Sequence, residues 1–124
     1  MIDFKNGAVF KLKKNKLVSH ASTLNPILVG GEQIIDEYTA LRDFVVFTNK
    51  RIIAVNVQGI TGSKKDFTSL PYSKIQAFSI ETAGTFDLDA ELEMYFSGLG
   101  KVKFEFSGSS NIAAIGKMIS EMIL

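Results

Sequence analysis

The sequence from Phe86 to Phe106 reads FDLDAELEMYFSGLGKVKFEF, in which apolar and polar residues alternate on both sides of a glycine-containing break. Side chains alternate between the two faces of a β-strand, so this rhythm predicts two strands that each bury one face. The hairpin register that keeps both apolar faces together places Met94 opposite Val102 and Glu93 opposite Lys103. The positions expected to face the core are Leu88, Ala90, Leu92, Met94, Phe96, Val102, Phe104 and Phe106.

After this hairpin the spacing of apolar residues changes and predicts a C-terminal helix. Ser109, Ser110 or Asn111 is expected to cap the helix, which should end near Met122. Gly116 would allow the helix to approach a neighbouring element closely. A helix this short is marginal alone, so it must pack on the sheet or on another subunit. Its predicted apolar stripe consists of Ile112, Ile115, Ile119, Met122 and Ile123.

Shorter strands are predicted upstream of the hairpin. Phe44–Phe47 and Ile52–Val55 are apolar runs separated by four polar residues, which is typical of a β-hairpin. Thr23 is expected to cap a short helix that ends near Val29. The chain is thus predicted to be mainly β, a seven-stranded barrel or sandwich that a C-terminal α-helix caps and a short helical segment precedes. The remaining strands are expected over residues 32–41, 66–70 and 75–82.

Length and composition indicate one domain without covalent cross-links. The 124 residues are 46% hydrophobic, enough for a single core. The sequence has no cysteine, which excludes thiolate catalysis, cysteine zinc sites and disulfides. No apolar run reaches the roughly 18 residues of a membrane-spanning helix, and the N-terminus lacks the pattern of a secretory signal. We therefore expect a cytoplasmic protein.

Positive charge is concentrated at the start of the chain. Residues 1–22 carry five lysines and one aspartate, a net charge of +4, whereas the other 102 residues carry 9 basic and 12 acidic side chains, a net charge of −3. We divide the chain accordingly into a basic segment, residues 1–22, and a domain, residues 23–124. The net negative domain argues against a nucleic-acid partner. Candidate contacts for an anion or a membrane surface are Lys11, Lys13, Lys14, Lys16, Lys50 and Arg51.

Each of these cations also has a simpler interpretation. The lysines of the basic segment could belong to a solvated tail. Lys50 and Arg51 could remain hydrated beside a turn that Asn49 stabilises. The sequence leaves both interpretations open.

No pattern in the sequence indicates catalysis, a metal site or a cofactor. His20 is the single histidine, and nothing near it resembles a nucleophile elbow. Residues 59–65 lack the spacing of a phosphate-binding loop. Asp87, Asp89, Glu91 and Glu93 lie about 6.7 Å apart along one strand face, whereas a bound cation needs oxygens that converge on one point. We therefore predict no catalytic residue, no metal and no cofactor.

Four motifs carry a resemblance to a known family. They are FTNKRII at Phe47–Ile53, GITG at Gly59–Gly62, LPYSKI at Leu70–Ile75 and SIETAGTFDLDAEL at Ser79–Leu92. In this order they resemble the bacterial pleckstrin-homology (PH) domain family over about residues 25–124. The resemblance implies a seven-stranded PH-like barrel with a C-terminal capping helix. It also implies ring-like homo-oligomers, with five-fold symmetry.

Two hypotheses about function follow. The first is a non-catalytic scaffold that self-associates into a ring, with subunit contacts from apolar residues that the domain core does not require. The second is a peripheral membrane or phospholipid-binding module that uses the basic segment. The residues predicted to form oligomer contacts are Val9, Phe10, Leu12, Leu17 and Val18.

Overall fold

The computed structural model of the protein describes residues 1–5, 11–107 and 110–124. Within these residues the chain forms eight β-strands, two α-helices and one 3-10 turn at Tyr72–Lys74. The α-helices are α1, Ala21–Leu24, and α2, Ile112–Ile123. The strands are β1 Lys11–Lys14, β2 Ile34–Ala40, β3 Asp43–Thr48, β4 Arg51–Gln58, β5 Lys64–Pro71, β6 Ile75–Glu81, β7 Ala90–Phe96 and β8 Gly100–Phe106.

The eight strands form one sheet in the order β5-β4-β3-β2-β1-β8-β7-β6. β1 joins the two halves, because it pairs antiparallel with β2 and parallel with β8. The predicted mainly β fold with a C-terminal helix is confirmed. The predicted strand number is wrong by one, since β1 is an eighth strand. In the described residues β5 and β6 do not pair with each other, so the sheet is open. A strand of KLKK, with one apolar residue among lysines, gives no alternation by which to recognise it.

The predicted register of the β7–β8 hairpin is confirmed. Met94 lies opposite Val102 and Glu93 opposite Lys103. The ion pairs across this hairpin run diagonally, however. Lys103 Nζ lies 3.2 Å from a carboxylate oxygen of Glu91. Because long lysine side chains reach the diagonal neighbour as readily as the opposite one, register alone does not identify the charged partner.

The prediction that Leu88 faces the core is wrong. β7 begins at Ala90, and Leu88 is 64% exposed in the loop before it. Asp87 ends the extended pattern there, since its side chain accepts a hydrogen bond from Asp89 N (3.1 Å) and its carbonyl accepts one from Gly84 N (2.6 Å). An aspartate that bonds the nearby backbone in this way competes with strand pairing.

Strands β3 and β4 are buried on both faces, which explains their unbroken apolar runs. Side chains on the inner face, such as Val45 and Phe47, belong to the main core, together with β7, β8 and α2. Side chains on the outer face, such as Phe44 and Ile53, pack beneath the segment that contains Leu24. The sheet therefore has a main core on one side and a smaller cluster on the other.

The predicted N-terminal helix exists but is shorter and begins earlier. α1 spans Ala21–Leu24, so Thr23 lies inside the helix and does not cap it, and His20 occupies the N-cap position. Proline has no N–H with which to continue the hydrogen-bond ladder, so Pro26 limits the helix to one turn. Residues 25–27 form a turn instead.

The C-terminal helix packs on the sheet as predicted. Asn111 caps it, because its side chain accepts a hydrogen bond from Ala114 N at 3.1 Å, while Ser109 lies outside the described residues. Gly116 approaches β6 closely: a Cβ at this position would lie 3.0 Å from Ile80 Cδ1 and 3.2 Å from Ile80 Cγ2. Of the predicted apolar stripe, Ile112, Ile115 and Ile119 are buried, and Met122 and Ile123 are partly buried against the same core.

Replacing Gly116 with leucine should destabilise the protein by about 1–3 kcal/mol, because its Cβ would already lie 3.0 Å from the side chain of Ile80 and the larger group must displace that side chain. Ala113→Leu, at an exposed position of the same helix, is the matched control and should change stability by less than about 0.5 kcal/mol. Urea denaturation measures both. Ile80→Ala should restore part of the loss in the Gly116→Leu background, and full stability of Gly116→Leu alone would contradict the tight contact.

Candidate functional site

The basic segment contributes β1 to the middle of the sheet. Leu12 is fully buried in the main core, so this predicted oligomer contact is not on the surface of the folded chain. Lys11, Lys13 and Lys14 flank it with exposed side chains. Lys11 Nζ lies 3.5 Å from Asp89 and Lys14 Nζ lies 3.3 Å from Asp36. Two of the predicted anion contacts are therefore already opposed by carboxylates, one in the loop before β7 and one on β2.

The other predicted oligomer contacts differ in their position. Leu17 is 82% exposed and Val18 is 42% exposed, so both are available at the surface. Lys16, between β1 and these residues, is also exposed. Val9 and Phe10 lie outside the described residues.

A buried carboxylate fixes the chain just after β1. The side chain of Glu37 in β2 is fully buried and accepts hydrogen bonds from Ser19 N (3.1 Å), Ser19 Oγ (2.8 Å), His20 N (3.0 Å) and Asn15 Nδ2. Burial alone would raise the pKa of Glu37, but these hydrogen bonds lower it below its ordinary value. Glu37 thereby holds residues 15–20 against β2.

His20 has a structural position in the same cluster. Its ring stacks on Phe44, with ring centroids 3.8 Å apart, and its Nδ1 lies 3.1 Å from Glu37 Oε1. The only histidine of the sequence therefore orders the start of α1.

A second buried carboxylate holds Arg51. The guanidinium of Arg51 donates to both oxygens of Glu32, each at 2.9 Å, and also to Ile27 O at 2.7 Å and Ser69 Oγ at 3.0 Å. Thr48 Oγ1 adds a hydrogen bond of 2.7 Å to Glu32. Four donors of Arg51 are used inside the protein, so this side chain is committed to the fold rather than presented to an anion.

Hydrogen bonds set the charge state of Glu32. Burial alone would raise the pKa of this carboxyl, but hydrogen bonds from Arg51, Thr48 and Val29 N, together with the charge of Arg51, lower it to about 2. The carboxylate is thus ionised throughout the physiological range and forms a bidentate pair.

The turn between β3 and β4 separates Lys50 from this network. Asn49 donates through Nδ2 to Gly31 O (3.0 Å) and accepts from Gln33 N (2.8 Å), which fixes the turn. Lys50 points into solvent. Lys50 and Arg51 are neighbours in sequence, but the structure does not bring them together into an anion site.

Two of the sequence motifs meet at this turn. The hydroxyl of Tyr72 in the LPYSKI motif donates to Thr48 O in the FTNKRII motif at 2.7 Å. Burial raises the pKa of Tyr72 well above its ordinary value of 10. Sequence reasoning did not identify Glu32, Glu37 or Tyr72, because a buried glutamate or tyrosine has no local pattern that distinguishes it from an exposed one.

The surface depressions of the described residues are open and shallow. One of about 400 Å³ lies between the end of β5 and the start of β6 and is lined by Leu70, Pro71, Lys74 and Phe96 among others. Another of about 300 Å³ lies on β6 and β7 beside Ala77, Tyr95 and Lys101. Within the described part of the chain no three His, Cys, Asp or Glu side chains gather as metal ligands. Neither α1 nor α2 has the length and apolar character to cross a bilayer.

Comparisons with known proteins agree on one family. A model of the bacterial PH domain matches residues 3–123. The uncharacterized protein YjqA of Bacillus subtilis (strain 168) is 41% identical over 119 residues, which span 87% of this chain and 95% of YjqA.

Two solved structures are also similar to this chain. A DUF1696 family protein with a PH domain from Shewanella loihica PV-4 is 39% identical, with a TM-score of 0.80, over 93% of this chain and 99% of its own. A PH domain from Shewanella amazonensis SB2B is 41% identical, with a TM-score of 0.65, over 84% of this chain and 85% of its own.

Removing the partner of Glu32 should strongly destabilise the fold. Arg51→Met should cost about 3–5 kcal/mol, because it leaves a buried carboxylate without its cation. Lys50→Met, at the exposed neighbouring position, should change stability by less than about 0.5 kcal/mol. Guanidinium denaturation near neutral pH compares the two, and equal stabilities would show that the pair is dispensable.

Glu32 should also make stability depend on acid pH. Its pKa falls from an ordinary 4.5 to about 2 on folding, so its stabilisation is present above about pH 4.5 and is lost as the pH falls toward 2. This difference in pKa corresponds to about 3 kcal/mol in the free energy of unfolding. The unfolding free energy measured across this range should therefore fall less steeply in Glu32→Gln than in the unmodified protein, and an unchanged slope would assign the acid sensitivity elsewhere.

Replacing Glu37 with glutamine should loosen residues 15–20. One acceptor oxygen then becomes a donor that faces other donors, at a cost of about 1–3 kcal/mol. Amide hydrogen exchange at Ser19 and His20 should accelerate at least about tenfold relative to β3. Glu93→Gln, at a position with a partly exposed carboxylate, is the control and should leave these amides unchanged.

Proposed function

Because the chain belongs to the bacterial PH domain family, we propose that it is a non-catalytic module that assembles with copies of itself into a ring-like scaffold. The observation that carries this proposal is the open sheet, whose two edges, β5 and β6, each pair with one neighbour only in the described residues. An unpaired strand edge presents a row of backbone donors and acceptors to another chain.

β6 is the edge with the least protection. Natural edge strands usually avoid pairing by means of lysine, proline, bulges or inward charges. β6 reads IQAFSIE, without lysine or proline, and Glu81 at its end is its single charge. A bulge between Ile75 and Ala77 affects only its start. The remainder, residues 77–80, is an uncharged edge that a neighbouring copy can cover.

The two edges are unlike each other, which favours a ring. β5 reads KKDFTSLP, with lysines at one end and Pro71 at the other, and its central Phe67 is 37% exposed. Contact between β6 of one copy and β5 of the next is heterologous, so a row of copies keeps one free edge at each of its ends until the ring closes. Backbone hydrogen bonds would supply the affinity, as when a strand is added to an existing sheet.

Other exposed apolar groups would extend this contact. Tyr95 is 45% exposed beside Ala77 on the outer face of β7, and Ile80 is 36% exposed on β6. Leu17 and Val18 remain proposed contacts of the basic segment.

The non-catalytic part of the proposal is supported by the use of polar groups. His20 is engaged with Glu37 and Phe44, and Arg51 is engaged with Glu32. The groups best suited to chemistry therefore stabilise the fold.

Adding charge to β6 should dissociate the assembly. The purified protein should have a mass several times 13.6 kDa by multi-angle light scattering, whereas Ala77→Lys/Ser79→Lys should shift toward the monomer mass. Both positions are exposed, so folding should be retained, and circular dichroism checks this. Lysines at edge positions oppose strand pairing.

The matched control is Ser22→Lys/Asn25→Lys, which adds the same charge at exposed positions around α1. It should leave the mass unchanged. A monomer at high micromolar concentration in the unmodified protein would overturn the scaffold proposal. An equal loss of mass in both double variants would overturn the role of β6.

A further inference from the structure

Residues 1–5 lie along β5 and contact its side chains. The Met1 ammonium lies 2.8 Å from Asp66 Oδ2. Ile2 N donates a hydrogen bond of 3.1 Å to Thr68 Oγ1, and that hydroxyl donates to Asp66 Oδ1 at 2.7 Å. The ammonium and the hydroxyl lower the pKa of Asp66, so its carboxylate is an anion near neutral pH. The backbone edge of β5 takes no part in these bonds and remains available to a neighbouring copy.

The same segment reaches the other half of the sheet with its apolar side chains. Ile2 and Phe4 are partly buried against the main core, whereas the residues on either side of them are exposed. The ring of Phe4 packs edge to face on Phe104 of β8, with ring centroids 6.1 Å apart. This alternation is that of an extended chain with one face on the protein. Residues 1–5 thus lie like a bound peptide in a groove between Thr68 and Phe104, the β5–β8 groove.

The β5–β8 groove continues beyond this segment. Residues 4 and 5 form a turn, so the extended run ends there. Leu99 lines both the depression around residues 1–5 and the depression of about 400 Å³ between the end of β5 and the start of β6. Apolar side chains such as Leu70 line the second depression, and Lys74 is exposed at its rim. The chain itself therefore fills one part of the groove and leaves the adjoining part open.

We propose that the β5–β8 groove binds an extended peptide segment of a partner protein, and that residues 1–5 occupy the groove in the partner's absence. The peptide carries a cationic group that pairs with Asp66. Two apolar side chains, two positions apart, take the sites of Ile2 and Phe4. A further apolar side chain fills the open depression, and an acidic group beside it meets Lys74.

Residues 1–5 are held weakly enough to be exchanged. Their ion pair is open to solvent, since the Met1 side chain is 64% exposed and that of Asp66 is 26% exposed, and such pairs contribute little. Tethering compensates for this, because it gives the segment a high effective concentration at the groove. A partner peptide that also fills the open depression gains contacts that residues 1–5 do not make there.

Fluorescence anisotropy tests the proposal with the peptide Met-Ile-Asp-Phe-Leu-Glu, labelled at its C-terminus, as the probe. In the full chain, Ile2→Ser/Phe4→Ser should bind the probe at least about tenfold more tightly than the unmodified protein, because the tethered competitor is weakened. Asp66→Asn in the same background should weaken binding at least about fivefold, because the ammonium of the probe loses its carboxylate. Circular dichroism and light scattering check that the fold and the mass are retained.

Ile60→Ser/Phe86→Ser is the matched control, since it removes two fully exposed apolar side chains that do not line the groove. It should bind the probe like the unmodified protein. A second probe, Met-Ser-Asp-Ser-Leu-Glu, has the same charges and should bind at least about tenfold more weakly, because two apolar side chains no longer leave water. This comparison separates apolar recognition from simple charge attraction.

Ile2→Ala trims the segment without adding a polar group and serves if the double substitution unfolds the chain. It should also tighten binding of the probe, by a smaller factor. Absence of probe binding to both released variants, an equal gain in the control, or unchanged binding after Asp66→Asn would overturn the proposal. Unfolding of Ile2→Ala as well would show that residues 1–5 are a fixed part of the core, with the same consequence. A loss of assembled mass without a change in probe affinity would assign residues 1–5 to contacts between copies instead.

Discussion

The sheet depends on a four-residue strand in its middle. β1 is the connection between the β2–β5 half and the β6–β8 half in the described chain. Its pairing with both neighbours is short, so its position relies on contacts at each end. Leu12 is buried in the main core, and Glu37 fixes the residues that follow. Without these contacts the fold would be two smaller sheets with four free edges instead of two.

Two buried carboxylates hold loop segments against the sheet. Glu37 lies on β2 and Glu32 lies just before it. Glu37 satisfies backbone N–H groups of residues 19 and 20, and Glu32 satisfies Val29 N while it pairs with Arg51. Loops seldom cover a sheet face unless their backbone groups find partners, because unpaired buried donors are costly. These two glutamates allow residues 15–32 to cover the smaller hydrophobic cluster, which contains Leu24, Phe44 and Ile53.

Much of the fold could be predicted from sequence, but its polar network could not. Apolar residues alternate around Leu92 and Phe104 and recur at helical spacing around Ile115, and these residues are buried. The strands and α2 were therefore predictable, because the spacing of buried residues differs between a strand and a helix. The same rhythm misplaced Leu88, because a local hydrogen bond of Asp87 outweighs alternation. Arg51 looked like an anion ligand because its buried partner is 19 positions away in the chain.

The parallel pairing of β1 with β8 joins Lys11 to Glu105, residues 94 positions apart. A ribosome must therefore synthesise the chain as far as β8 before this ladder can form, and until then β1 can pair only with β2. Contacts between such distant residues slow folding, because the intervening chain must be ordered first. During synthesis the emerging polypeptide thus exposes apolar surface and unpaired strand edges. A chaperone that shields such surfaces would act at this stage.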